Sequence, residues 1–422
     1  MDSSPPWSAS TDPTTITTTT TSSSISSFSL SGTIVVVAKC PFPGQCKTRL
    51  IPFVGPDGAA TLARAMLCDV LETVSLAAAT ATAIHDRHPL STSTVTNTTI
   101  QKILLYAPPT PAAKLYMEEL IREITTLAVS EEDPTNDQQT NHSDPSYASS
   151  LSSKNSPSSS SSSSSPPWRL LPMLDSTDLQ SSDLSAQLTH ALKQARYLQQ
   201  DEWRNHATAL DTTSSVPLLG PVMFVGMDTP EQPIDEIHSA LRLGQAPAPP
   251  PFLHPSPPSN PNSWQPPPTS ALLCPAADGG YGLLSLPCTI AWGNEQALFY
   301  GVCWSHALTA VSQLKALTDA VCDSGSGSTT LVRIGRLMYD IDDEADVRAL
   351  CQRLQQSQSL SGDCWSDKAT ATTTTTTTTN APSEPPTTNV GPCLLSSSSG
   401  QASQTGICRH TRQALQELGL LL

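Results

Sequence analysis

Two kinds of apolar pattern alternate along this chain. The first is a short unbroken run rich in β-branched residues: IVVV at 34–37, ILLY at 103–106, VMFVG at 222–226 and ALLCP at 271–275. Runs of four or five apolar residues bounded by Gly, Pro or polar residues predict strands buried on both faces. Shorter or more mixed runs at 168–172, 282–286 and 331–338 predict further strands. The second pattern spaces apolar residues at three and four, which predicts helices at about 59–79, 112–127, 183–198, 234–243, 307–321, 346–355 and 411–418. Strands alternating with helices define an α/β domain on a mostly parallel sheet.

Between these elements lie blocks of Ser, Thr and Pro, among them eight consecutive serines at 158–165 and eight threonines at 372–379. Such tracts bury too little apolar surface to offset the entropy lost on ordering, so they predict disorder. They change the meaning of the length. The 422 residues reduce to one domain over 32–355, with disordered insertions at about 130–167 and 246–269. A disordered leader at 1–31 precedes it. A third disordered tract, 356–405, separates it from a closing helix in 406–422 that packs back on the domain.

The net charge of −15 argues against a nucleic-acid binder, which needs a basic face. No stretch approaches the roughly 18 apolar residues of a membrane span. The leader has no apolar core and no Arg, so it reads neither as a secretory signal nor as a transit peptide. The 11 cysteines are scattered, without paired zinc spacing, which fits a reduced, cytoplasmic protein.

Against this background the stretch AKCPFPGQCKTRL at 38–50 stands out. Pro41 and Pro43 forbid helix and Gly44 permits a tight turn. Lys39, Lys47 and Arg49 gather around that turn in a chain poor in cations. A strand running into such a loop can grip phosphates through backbone N–H groups and cationic side chains; the alternative is an ordinary connection with solvated charges. It matches neither the Walker A loop nor G-x-G-x-x-G. Asp228, in GMDTP, follows a strand and can ligate Mg²⁺ or Mn²⁺ between phosphates, or cap a helix. Asp278, in ADGGY, precedes Gly279 and Gly280, which allow close backbone approach to a ligand, and Tyr281 can stack on a base or sugar; Asp-Gly is equally a hairpin turn. Of Asp340, Asp342 and Asp343, Asp343 reads as a helix cap and Asp342 as a second metal ligand. In parallel sheets the ligand crevice lies beyond the carboxyl ends of the strands, and the basic loop, Asp228 and Asp278 all follow strands.

These motifs, with ALFYGVCWS at 297–305 and YDIDDEADVRAL at 339–350, occur in the order seen in the DUF2064 proteins, which this chain resembles from about residue 32 to 354. The resemblance implies a Rossmann-like GT-A domain of the nucleotide-diphospho-sugar transferases. It implies phosphate binding by Gly44, Lys47 and Arg49 and metal binding by Asp228 and Asp342. The later family pattern D-T-P-E-D reads DDEAD here at 342–346, and G-D-L-G-E-R reads SDLSAQ at 182–187. The expected activity is a metal-dependent transferase with catalytic Asp228 and Asp278. Its partners are a nucleotide or nucleotide-sugar donor and a small-molecule acceptor, and glycosyl transfer is the leading reaction. Nucleotidyl transfer to a phosphorylated small molecule is the alternative, and a degenerate, non-catalytic binding domain is the third.

Overall fold

In a computed structural model of the chain, the residues described are 31–86, 100–130, 167–174, 183–209, 219–245, 269–288, 295–322, 331–362 and 408–421. The leader, both insertions and most of the 356–405 tract expected from the sequence lie outside them.

Among the described residues there are seven strands: β1 (Gly32–Lys39), β2 (Ile100–Ala107), β3 (Trp168–Pro172), β4 (Val222–Gly226), β5 (Ser270–Pro275), β6 (Tyr281–Leu286) and β7 (Leu331–Ile334). They form one mixed sheet in the order β3-β2-β1-β4-β6-β5-β7. β1, β2, β3 and β4 pair in parallel; β6 pairs antiparallel with both β4 and β5, and β5 pairs in parallel with β7. Six strands therefore run one way and β6 alone runs back. This is a Rossmann-like α/β fold, and its strand order reverses between β1 and β4.

Strand side chains alternate between two apolar layers, as the period of two requires. Ile34, Val36, Leu104, Met223 and Val225 join α1 (Ile51–Asp86), α2 (Pro111–Ser130) and α4 (Ile234–Leu243) on one face. Val35, Ile103, Leu105, Val222 and Phe224 join α3 (Leu184–Ala209) and α5 (Thr309–Cys322) on the other. The strands read as continuous apolar runs because helices cover both faces.

A third apolar cluster lies apart from these layers. It joins Leu50, the α1 residues Ala59, Leu62 and Met66, then Ile341, the α6 (Glu344–Gly362) residues Val347, Leu350 and Leu354, and Cys408, Leu415 and Leu421 around α7 (Arg409–Glu417). Two polar ties fix α7 there. The carboxylate of buried Asp69 accepts the first backbone N–H groups of α7, from His410 at 3.0 Å and Thr411 at 2.8 Å. Glu72 Oε1 accepts from Arg409 at 2.6 Å and pairs with His410 Nε2 at 2.7 Å. These contacts hold α7 against α1.

Element boundaries differ where local signals mislead. α1 carries a break near its start: Gly55 takes φ 76° and ψ 169°, and the helix restarts at Pro56. α1 thus begins eight residues before the predicted start. The strand expected at 331–338 ends at Ile334, after which only Met338 bridges to Ala276. α6 runs on to Gly362, into the stretch expected to be disordered. Among the described residues no helix is long and apolar enough to cross a membrane.

Asp69→Ala leaves two buried N–H groups of α7 without an acceptor, at a cost of about 1–3 kcal/mol. The expected outcome is a lower urea midpoint and faster proteolysis within residues 408–421, with far-UV circular dichroism little changed.

Candidate functional site

The ends of β1, β4, β5 and β7 lie at one edge of the sheet, because these strands are mutually parallel. The loop after β1 is tied down by its backbone: Cys40 N donates to Ala107 O at 2.6 Å, and Gln45 N to Phe42 O at 3.0 Å. Gly44, at φ 75°, turns this loop. The chain then enters Lys47 in the left-handed conformation, φ 46° and ψ 45°, before a 3₁₀ turn at Thr48–Leu50. A lysine is rarely found there, since Cβ crowds the following carbonyl.

That conformation accompanies a buried ammonium. The Lys47 side chain, only 6% exposed, holds Nζ 2.6 Å from Asp342 Oδ1 and 2.8 Å from Asp228 Oδ1. The first contact is a hydrogen bond. The second is a close ion pair off the hydrogen-bond direction, and Asp228 Oδ1, a buried atom, accepts no hydrogen bond. Burial pulls the Lys47 pKa down, but the Asp228 and Asp342 carboxylates outweigh it and hold the value above the ordinary 10.5. Arg49 NH1, on a largely exposed side chain, lies 3.8 Å from Asp342 Oδ2.

The acidic segment is braced from both sides. Ile341 N donates to Asp228 O at 3.0 Å, which fastens it to the loop after β4. Asp343 Oδ1 accepts the N–H groups of Ala345 and Asp346, and Asp346 Oδ2 accepts those of Asp342 and Asp343. This is a capping box at the start of α6 with Asp in place of the usual Glu or Gln. Asp343 is therefore the cap, as its spacing predicts. Asp342 also approaches Asp278 and Asp340, with carboxylate oxygens of all three within 4.8 Å of one another. Burial, then the charge of Asp278, with Asp342 and Asp346 adding, pushes Asp340 up to about 6.

A cavity of about 410 Å³ opens over this edge, within the size range of small-molecule sites. Lys39, Lys47, Arg49, Asp228 and Asp342 line it, with Met173 after β3 and Ala107 at the end of β2. Five sequence-predicted residues thus share one cavity at the switch point, and Asp278 stands beside it through Asp342. The donors offered are carboxylate oxygens, which suit Mg²⁺ or Mn²⁺. Asp228 Oδ1 is a buried oxygen that faces the Lys47 ammonium at 2.8 Å.

The rest of the ADGGY motif goes elsewhere. It is the turn of the β5–β6 hairpin, the other meaning that Asp-Gly carries. Gly280 N donates to Asp278 Oδ1 at 2.7 Å. Gly279, at φ 90°, does approach a backbone closely, but that backbone is the chain's own: a Cβ there would lie 2.1 Å from Ala307 O. Gly279 O accepts from Ala310 N at 2.9 Å. Tyr281 is turned inward, its hydroxyl 3.2 Å from Gln313 Oε1 and its ring 6.2 Å from that of Trp304. Gly44 shapes the basic loop without lining the cavity.

Asp340, grouped in the sequence with Asp342 and Asp343 but given no role of its own there, brings its carboxylate beside those of Asp278 and Asp342. One participant, Ser185, carries no sequence signal. Ser185, in the altered SDLSAQ segment, donates to Phe299 O at 2.9 Å and accepts from Trp304 Nε1 at 2.8 Å. It ties the start of α3 to the FYGVCWS loop, a contact between segments over a hundred residues apart.

No protein-family model and no curated protein matches this chain. Among solved structures, it is similar to a protein from Desulfovibrio desulfuricans G20 whose assignment as a nucleotide-diphospho-sugar transferase is itself provisional. The identity is 17%, the match covers 77% of this chain and 88% of that one, and the TM-score is 0.42. Rv0371c from Mycobacterium tuberculosis H37Rv matches at 13% identity over 76% of this chain and 98% of its own, with a TM-score of 0.29. At these scores neither likeness says what this chain binds.

Gly279→Ala and Gly44→Ala both force alanine to positive φ, at about 1–2 kcal/mol. Only Gly279 adds a backbone collision; nothing lies within 4 Å of a Cβ at Gly44. Thermal melts should show the larger loss for Gly279→Ala, and equal losses would contradict the packing at Ala307.

Proposed function

We propose that this chain is a metal-dependent transferase whose donor is a nucleotide or nucleotide-sugar, and that it transfers a glycosyl group. The observation that carries the reading is the convergence of Lys47, Arg49, Asp228 and Asp342 on one cavity at the switch point of the sheet. Acids and cations side by side suit a diphosphate and its counter-ion better than either alone. The ordered DUF2064-like motifs and the GT-A-like arrangement they imply support the same reading.

In this reading Lys39, Lys47 and Arg49 bind the diphosphate and neutralise it as the bond to the sugar breaks. Asp228 and Asp342 hold Mg²⁺ or Mn²⁺. When bound, that ion supplies further charge stabilisation to the departing nucleoside diphosphate. Asp278 takes the proton of the acceptor hydroxyl as its oxygen attacks the anomeric carbon. Fixed charges of this kind act where negative charge develops and need no rearrangement at the moment of reaction.

The test is a thermal-shift panel of nucleoside diphosphates, nucleoside triphosphates and nucleotide sugars, each with and without Mn²⁺. A ligand bound by the folded state alone raises stability by about 2.7 kcal/mol at a hundred times its Kd. The expected result is a Mn²⁺-dependent rise with one nucleoside diphosphate sugar, lost in Asp228→Asn. A rise with a triphosphate alone replaces glycosyl by nucleotidyl transfer. No rise with any of them overturns the reading in favour of a degenerate domain.

A further inference from the structure

The point between Asp228 and Asp342 is already taken. Lys47 Nζ lies within 2.8 Å of a carboxylate oxygen from each, which is where a cation shared by both acids would have to sit. The ammonium is also enclosed: its side chain is 6% exposed, whereas that of Arg49, the neighbouring cation, is 74% exposed. It reaches this point from a left-handed backbone position in a loop braced by Cys40 and Gln45. That conformation is unfavourable for a residue with a Cβ, so the ion pairs hold the loop in an arrangement its backbone does not favour.

We propose that Lys47 is an internal counter-ion, holding the place between Asp228 and Asp342 until a divalent cation and a phosphate group separate it from them. The inference rests on the metal reading above and adds a coupling to it. Lys47 cannot serve both partners at once. While it neutralises the two aspartates, its ammonium is withheld from a diphosphate and the carboxylates are withheld from a divalent ion. Once the acids turn to the metal, Lys47 is released toward the cavity it already lines. Each ligand thereby frees the partner of the other, and such coupling is reciprocal. Metal alone binds weakly, because it must displace an enclosed ammonium before a phosphate is there to receive it.

The experiment titrates Mn²⁺ alone, following the free aquo ion by electron paramagnetic resonance, into the full-length wild type, Lys47→Met, and the double variant Lys47→Met/Asp228→Asn. Met keeps the length and apolar stem of the side chain and removes its charge. Lys47→Met is expected to bind Mn²⁺ roughly tenfold tighter or more than wild type, a factor typical of coupled sites. The double variant, with one acid fewer, is expected to lose most of that gain. Because Lys47→Met leaves two acids facing each other, its melting temperature should also rise further on adding Mn²⁺ than that of wild type. Equal or weaker Mn²⁺ binding by Lys47→Met, in a folded protein whose Mn²⁺ binding is lost in the double variant, overturns the counter-ion and leaves the metal reading standing. No Mn²⁺ binding by any of the proteins overturns both. The nucleotide panel run without metal then reports separately on the phosphate site.

Discussion

One enclosed ammonium ties together three segments at the edge of the sheet where the candidate site lies. Lys47 joins the loop after β1, the loop after β4 and the segment before α6, reaching a residue 295 positions away in sequence. An ion pair of this kind is a weak source of net stability, since desolvation offsets most of the attraction, but removing one partner leaves charge stranded. Its effect is geometric. The pairing fixes which strand ends face each other, and the tie from Ile341 N to Asp228 O keeps the two acidic loops in step.

The same edge depends on packing that lies behind it. Leu50, three residues past Lys47, and Ile341, immediately before Asp342, belong to one apolar cluster with α6 and α7. The basic loop and the acidic loop therefore share a hydrophobic footing that the main sheet does not supply. The final helix completes that footing, and Asp69 and Glu72 on α1 anchor its first turn.

Much of the scaffold was legible in the sequence because its signals are local. Apolar runs covered on both faces gave the strands, and three-four spacing gave the helices. The α6 cap followed from acids at the start of a helix. Asp69 shows where such reasoning stops. It fell within the helical pattern of α1 as a charged residue among apolar ones, and its partners are backbone groups 341 and 342 residues away. The site was legible in part for the same reason. Strand ends predict which loops share an edge, so Lys47, Arg49, Asp228 and Asp342 could be grouped. That Lys47 would turn to the aspartates, and Gly279 and Tyr281 to the protein interior, depends on tertiary contacts that no spacing encodes.

β6, the one reversed strand, carries a further consequence. At this edge β1, β2 and β4 each run into a helix that packs on a face of the sheet, where extra residues can be absorbed without moving the strand. Asp278 instead sits on a hairpin whose two arms are both hydrogen-bonded, Leu273 to Leu284 and Cys274 to Leu283. Side chains alternate along each arm, so a slip of one residue would turn β6 inside out between the two apolar layers. The cavity thus has margins of unequal plasticity: the core beneath the hairpin sets its register up to the irregularity at Cys274/Pro275, while the connections into helices can take up changes of length.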